Sequence, residues 1–201
     1  MIKAQFIELI RLNIFGGSEA VDRLYLADPR RVELDITAAM NTLFFQIFKK
    51  DRSNLDRYAK TYKNVAVSYD SSIVTYYSTL PAKVIQFPTV GDGIWNISTM
   101  TGQDVTFAPV TISDKELLYN NEFNLLDDVI GYSLSGSQVS YYNHDPLITE
   151  VRMELIVDFT EWDLNEDIPI PSGQDLEIIN IIRQMYQLKP ADRLNNQNEL
   201  A

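Results

Sequence analysis

The chain of 201 residues has no cysteine and a single histidine. Without cysteine there is no disulfide scaffold, no thiolate-held zinc, no iron–sulfur cluster and no thiol nucleophile. One histidine rules out any metal motif built on two imidazoles and leaves one ring for acid–base work. Basic residues are also few: 17 Lys and Arg stand against 28 Asp and Glu, a formal net charge of −11. That balance works against gripping nucleic acid through phosphate neutralisation. Long hydrophobic runs are missing too. Lys3, Glu8 and Arg11 break up the amino-terminal region, so no signal-peptide core forms there. No stretch approaches the ~20 apolar residues of a membrane-spanning helix. Phosphate loops are absent as well, because Gly91-Asp92-Gly93 lacks the spacing of either glycine-rich fingerprint. The reading is a soluble protein, cytoplasmic in the cell that makes it.

What remains is ordinary for a folded domain. Hydrophobic residues make up 45% of the chain, which excludes wholesale disorder. The length suits one domain or two small ones and buries roughly 70% of the unfolded surface, so no staple is needed.

The first third reads as helix. Ile2, Phe6, Leu9 and Ile10 fall at i, i+4, i+7 and i+8, and Gly16-Gly17 ends that helix. Ser18 caps a short second helix with Val21, Leu24 and Tyr25, which Asp28-Pro29 stops. Ile36, Met40, Leu43, Phe44 and Ile47 predict a third over about 33–49, with Lys49-Lys50 at its cation-favouring end. Ser53 and Asp56 resemble a capping box before an amphipathic segment of Leu55, Tyr58, Ala59 and Tyr62.

Near Asn64 the composition turns to Val, Ile, Thr and Tyr, with turn residues every eight to twelve positions. Strands are predicted over 65–69, 73–79, 83–87, 94–99, 104–109, 129–134 and 138–142, the last two as a hairpin around Ser135-Gly136. One helical insert is predicted at 113–119. Over 148–159, Val151, Met153, Leu155, Val157 and Phe159 share one face, with Arg152, Glu154, Asp158 and Thr160 on the other and Ile156 the exception there. One wet face implies an antiparallel sheet. Ile168-Pro169-Ile170-Pro171 reads as a stiff extended linker. A Ser172-capped helix follows over 174–188, with Leu176, Ile179, Ile182, Met185 and Tyr186 at helical spacing.

The expected class is α+β: amino-terminal helices, a central antiparallel β-sheet or small barrel or sandwich, one C-terminal helix and a polar tail. The segments are 1–63 (helical), 64–160 (antiparallel β), 161–190 (linker and C-terminal helix) and 191–201 (mobile tail), within one compact domain overall.

The chemistry-bearing residues have plain structural readings. His144-Asp145-Pro146 reads as a turn after Tyr141-Tyr142; the functional alternative is a base oriented by a carboxylate. No Gly-x-Ser-x-Gly accompanies it. Glu150, Glu154 and the group Glu161, Asp163, Glu166 and Asp167 supply acids for a glycosidase-like pair, which needs a set separation and one raised pKa. Asp163-Leu164-Asn165-Glu166-Asp167-Ile168 has the first three oxygen positions of a calcium loop but Ile where Gly is required, so a solvated loop is expected. Tyr76-Tyr77 and Tyr141-Tyr142 put one ring on each face of a strand, to serve either an interface or a core rim.

Three stretches carry a resemblance. One is Asp35-Ile36-Thr37-Ala38-Ala39-Met40-Asn41-Thr42-Leu43-Phe44-Phe45, running into Lys50-Asp51-Arg52-Ser53-Asn54-Leu55-Asp56. Another is Thr106-Phe107-Ala108-Pro109-Val110, followed after a short helix by Ile130-Gly131-Tyr132-Ser133-Leu134. The third is Ile168-Pro169-Ile170-Pro171-Ser172-Gly173-Gln174-Asp175-Leu176-Glu177-Ile178-Ile179. Together they resemble the ring-forming neck, or head–tail connector, proteins of short-tailed bacteriophages of the crAss-like group. The resemblance spans most of the chain and is diffuse.

It implies a structural virion protein, made in the host cytoplasm and residing in the neck or tail region. Its partners would be copies of itself in a ring, commonly twelve, together with the portal protein and other neck or tail proteins. Genomic DNA would pass nearby without specific binding, and no membrane would be involved. The resemblance implies no enzyme activity, no catalytic, cofactor-binding or metal-binding residue, and no cofactor. A closing ring needs a head-to-tail interface, which broad apolar faces on the first and last helices would suit. Three other readings stay open at this point. They are a tail hub or other tail component, a two-carboxylate glycan hydrolase, and a carbohydrate-binding β module using Trp95, Trp162 and the tyrosines.

Overall fold

Helices come first, strands next and one helix last, in an α+β arrangement. The structure, a computed structural model, describes residues 1–15, 28–87, 93–100, 105–111, 129–168, 170 and 173–187. The chain divides into two compact units, Met1–Arg57 with Asp158–Ala201 and Tyr58–Val157. No helix among the described residues is long and apolar enough to cross a membrane.

The first unit is built on helices α1 (Lys3–Phe15), α2 (Pro29–Lys50) and α3 (Gln174–Gln187). Helix α2 starts four residues earlier than its periodicity predicts. Proline at the first helical position costs nothing, since its missing N–H would be unpaired there anyway. Asp28 caps the helix by accepting from the Arg30 N–H at 3.0 Å, so Asp28-Pro29 opens this helix. The buried residues Val32, Ile36, Ala39, Met40 and Leu43 lie at i, i+4, i+7, i+8 and i+11. They pack in a core with Phe6 and Ile10 of α1, Phe159, and Ile178, Ile179 and Ile182 of α3. On α3 the buried stripe runs through Ile178 rather than Leu176, which is exposed. Past α2, Asp51 accepts from the Ser53 N–H at 3.0 Å and the Ser53 hydroxyl at 2.8 Å. Asp51, rather than a Ser53–Asp56 box, therefore starts the 3-10 helix Arg52–Tyr58.

The second unit is two sheets. The three-stranded sheet has the order β1 (Lys60–Ala66), β8 (Glu150–Leu155), β4 (Ile94–Thr99), all antiparallel. The five-stranded sheet has the order β2 (Ser68–Asp70), β3 (Thr75–Thr79), β7 (Gln138–Tyr142), β6 (Val129–Ser135), β5 (Thr106–Pro109). Its pairs are antiparallel except β5–β6, which is parallel. Strands β1 and β2 are one extended run that changes sheet at Val67, whose N–H still reaches Thr149 O at 2.8 Å. A strand that switches sheets forms the corner of a sandwich or barrel. Asn64, where the composition changes, is a left-handed bulge residue (φ 57°) inside β1 rather than the start of the sheet. The β6–β7 hairpin closes on the two residues Gly136-Ser137, with Gly136 at φ 62°.

Pleating explains the core. On β8, Val151, Met153 and Leu155 are fully buried and face Ile94, Ile97 and Thr99 of β4. The strand expected over 148–159 ends at Leu155. A single bridge, Val84↔Val157, and a 3-10 helix, Phe159–Glu161, continue it. That bridge is also all that forms of the strand expected at 83–87. Asp158, placed on the wet face by alternation, is buried and accepts from Asn41 Nδ2 at 3.1 Å, because alternation ends with the strand. Residues 71–74 are a turn, so the strand expected from 73 starts at Thr75. The helices expected at 18–25 and 113–119 and the tail 191–201 lie outside the described residues, as do Pro169, Pro171 and Ser172.

Candidate functional site

The register of the five-stranded sheet lines up aromatic residues. Tyr69 of β2 lies opposite Tyr76 of β3, Tyr76 opposite Tyr141 of β7, and Tyr141 opposite Tyr132 of β6. Directly opposed residues share a face, so these rings form one row. Tyr69 and Tyr76 have ring centroids 4.9 Å apart, and Phe107 of β5 meets Tyr141 edge-on at 6.0 Å.

His144 enters this row from the turn after β7. Its ring lies 4.6 Å from Tyr76 and stacks on Tyr141 at 5.4 Å. Nε2 lies 2.9 Å from Ile148 O. A carbonyl only accepts, so the Nε2–H donates and Nδ1 keeps its lone pair. Nδ1 is buried with no hydrogen-bond partner. Burial pushes the His144 pKa down, against the smaller opposing effects of the Ile148 bond and the Asp145 charge. Beneath the ring, the Tyr141 hydroxyl donates to Ser78 Oγ at 3.1 Å, and Ser78 Oγ donates to Ala66 O at 2.9 Å. Burial pushes the Tyr141 pKa well up, so this phenol stays neutral.

The histidine–carboxylate arrangement does not form. Asp145 Oδ1 accepts from the Leu147 N–H at 2.9 Å and its main-chain O from the Ile148 N–H at 3.0 Å. The carboxylate therefore shapes the turn and leaves the ring's nitrogens alone.

Nor do the other acids converge. Glu150 and Glu154 are four residues apart on one strand, about 13 Å at ~3.3 Å per residue. An inverting pair needs ~6.5–9.5 Å and a retaining pair less. Glu154 is instead paired with Arg152 at 2.5 Å. In the 161–167 loop, Asp163 and Glu166 close on each other, with the Asp163 N–H donating to Glu166 Oε2 at 3.1 Å and the Glu166 N–H to Asp163 O at 2.9 Å. The loop's carbonyls hold α1: Leu164 O takes the Ala4 N–H at 2.9 Å and Glu166 O the Lys3 N–H at 3.0 Å. Among the described residues, no three His, Asp or Glu side chains come together as a cation site would require.

The aromatic candidates divide. Trp162 is buried in the first unit and presents no stacking platform. Trp95 on β4 is half-buried. Tyr142 is buried, with its hydroxyl 2.8 Å from Ser133 Oγ, whereas Tyr69 is exposed at the end of the row. Of Gly91-Asp92-Gly93, only Gly93 is described.

Two features went unseen in the sequence. Lys3 is buried in the first unit. Its ammonium pairs with Glu33 at 2.5 Å, donates to Trp162 O at 2.8 Å and lies 4.9 Å from the Phe159 ring centre. A charge inside an apolar stripe was the available signal. The joining of Tyr76, Tyr141 and His144 had none, because it depends on register between distant strands.

No protein-family model matches the chain, and no curated protein is detectably similar to it.

Proposed function

We propose that this chain is a structural subunit of a bacteriophage neck ring, joining portal and capsid to tail around the DNA exit channel. The observation that carries this reading is the employment of the one imidazole. His144 is packed between Tyr76 and Tyr141, and its single N–H is donated to a main-chain carbonyl. Of the acids considered for a catalytic pair or calcium loop, Glu154 pairs with Arg152, and Glu166 accepts from the Asp163 N–H within its own loop. Among the described residues, a histidine and acids held in this way suit assembly better than turnover. The three stretches that resemble neck proteins supply the positive half of the reading.

On this reading the subunits meet head-to-tail in a closed ring, and the contacts outside the ring are with portal and tail proteins. The net charge of −11 lets duplex DNA pass without adhering, since phosphates and lumen repel. Negative-stain imaging of the chain, alone and mixed with the portal of the same phage, tests the proposal. Closed rings in either sample support it. A chain that stays monomeric in both, or that retains duplex DNA at about 150 mM salt, contradicts it.

A further inference from the structure

One end of the five-stranded sheet concentrates exposed apolar side chains. Because β3 and β7 are antiparallel, the β2–β3 turn and the turn after β7 leave the sheet at the same end. Tyr69, Ile73 and Val74 on the first are 51%, 59% and 68% exposed, and Leu147 on the second is 86% exposed. Ten large apolar side chains are exposed among the described residues, and these four come from just two segments, 68–75 and 143–150. Single scattered cases are normal at a surface; a cluster is not.

The backbone holds the cluster at a cost. Val74 sits at φ 52°, in the left-handed region, where a branched side chain is strained and Asn or Gly would not be. An exposed valine there adds nothing to a core. Both turns are also fixed in advance. Asp70 Oδ1 accepts from the Ser72 N–H at 2.8 Å and its hydroxyl at 2.6 Å, and the Thr75 hydroxyl donates to Ile73 O at 3.0 Å. Asp145 pins the Leu147 turn, and the His144–Tyr76 ring contact ties that turn to the hairpin. The charged residues of the two segments are Asp70, Asp145 and Glu150, with no Lys or Arg. The Ser72 bonds lower the Asp70 pKa and keep it ionised.

We propose that Tyr69, Ile73, Val74 and Leu147 form a docking surface for a segment of another protein that presents aliphatic side chains flanked by Lys or Arg. The apolar residues give the contact its area, and the acids select a basic rim. A two-fold contact with a second copy would set the same acids against each other. The inference stands on this surface alone and does not depend on a virion role.

The test uses the full chain with labelled Ile, Leu and Val methyl groups. It is titrated with a synthetic peptide of alternating Leu and Lys, then with the same peptide carrying Glu for Lys. The Ile73, Val74 and Leu147 methyl signals should shift with the Lys peptide. Binding should be at least about tenfold tighter than for the Glu peptide and should weaken as salt rises. Val74→Asn should keep or raise the melting temperature while weakening peptide binding several-fold, and Leu147→Ser should weaken it similarly. Equal response to both peptides, shifts only elsewhere, or indifference to both variants overturns the proposal. So does movement of these methyl signals with protein concentration alone, which would indicate a second copy.

Discussion

Gly93 occupies a position that no side chain can share. Its φ is 73°, and a Cβ there would lie 2.3 Å from Ile85 O and 3.3 Å from Ile156 O. The same residue's carbonyl accepts from the Ile156 N–H at 2.8 Å, so the backbone cannot move away freely. Gly93→Ala should therefore cost about 3 kcal/mol, combining a left-handed penalty with backbone overlap. Denaturant unfolding measures this, and a loss below about 1 kcal/mol would mean that the loop yields. In the sequence Gly93 reads only as part of a turn, because the carbonyl that crowds it comes from another segment. His144 makes a second case. Its folded-state pKa is held below the free value of 6.5, so the unfolded chain takes the proton first. The stability linked to the neutral ring is complete above pH ~6.5 and drains as pH falls through the folded pKa. Between about pH 7.5 and 5.5 the wild type should lose more stability than His144→Gln; equal slopes would contradict this. The sequence shows His144 as a turn residue, and the structure agrees. Its burial was not legible, since it follows from the Tyr76↔Tyr141 register.

Elements were legible where one face met water and obscure where their pairing depended on a distant partner. Helix α2 declares itself because five buried residues repeat at helical spacing on a wet background. Strand β8 does so through Val151, Met153 and Leu155, and the β6–β7 hairpin through its glycine turn. The stretch 83–87 has strand composition yet makes one bridge, because pairing depends on a partner strand that local propensity does not see. The parallel placement of β5 on β6 has no local signature either. At this scale Lys3 is the joint to test. It connects the start of α1 to Glu33 on α2 and to the carbonyl of Trp162. Lys3→Met would leave that carbonyl without its donor and Glu33 without its counter-ion, at a cost of about 2–4 kcal/mol. Lys3→Met with Glu33→Gln should recover part of it. Chemical denaturation of the two variants measures the difference; a double variant no more stable than the single one would show that the charge on Glu33 is immaterial.

For the whole molecule, the α+β class follows from the order of helical and β-rich stretches, which composition displays directly. What composition cannot display is that the chain leaves the helical unit after Arg57 and returns to it at Asp158. Phe6 and Phe159, far apart in the sequence, pack edge-on at 6.1 Å. That closure is a tertiary fact, set by which apolar faces remain uncovered. The functional account belongs to this scale as well. As a proposal it rests on the packing of His144, on the net charge of −11 and on the resemblance to ring-forming neck proteins read from the sequence. The most direct test of that proposal is the mass of the assembly formed when the chain is titrated onto the isolated portal of the phage that the proposal implies. The account predicts saturation at a fixed number of copies, matching one closed ring per portal. A portal that gains no mass, or that gains it without saturating, would contradict it.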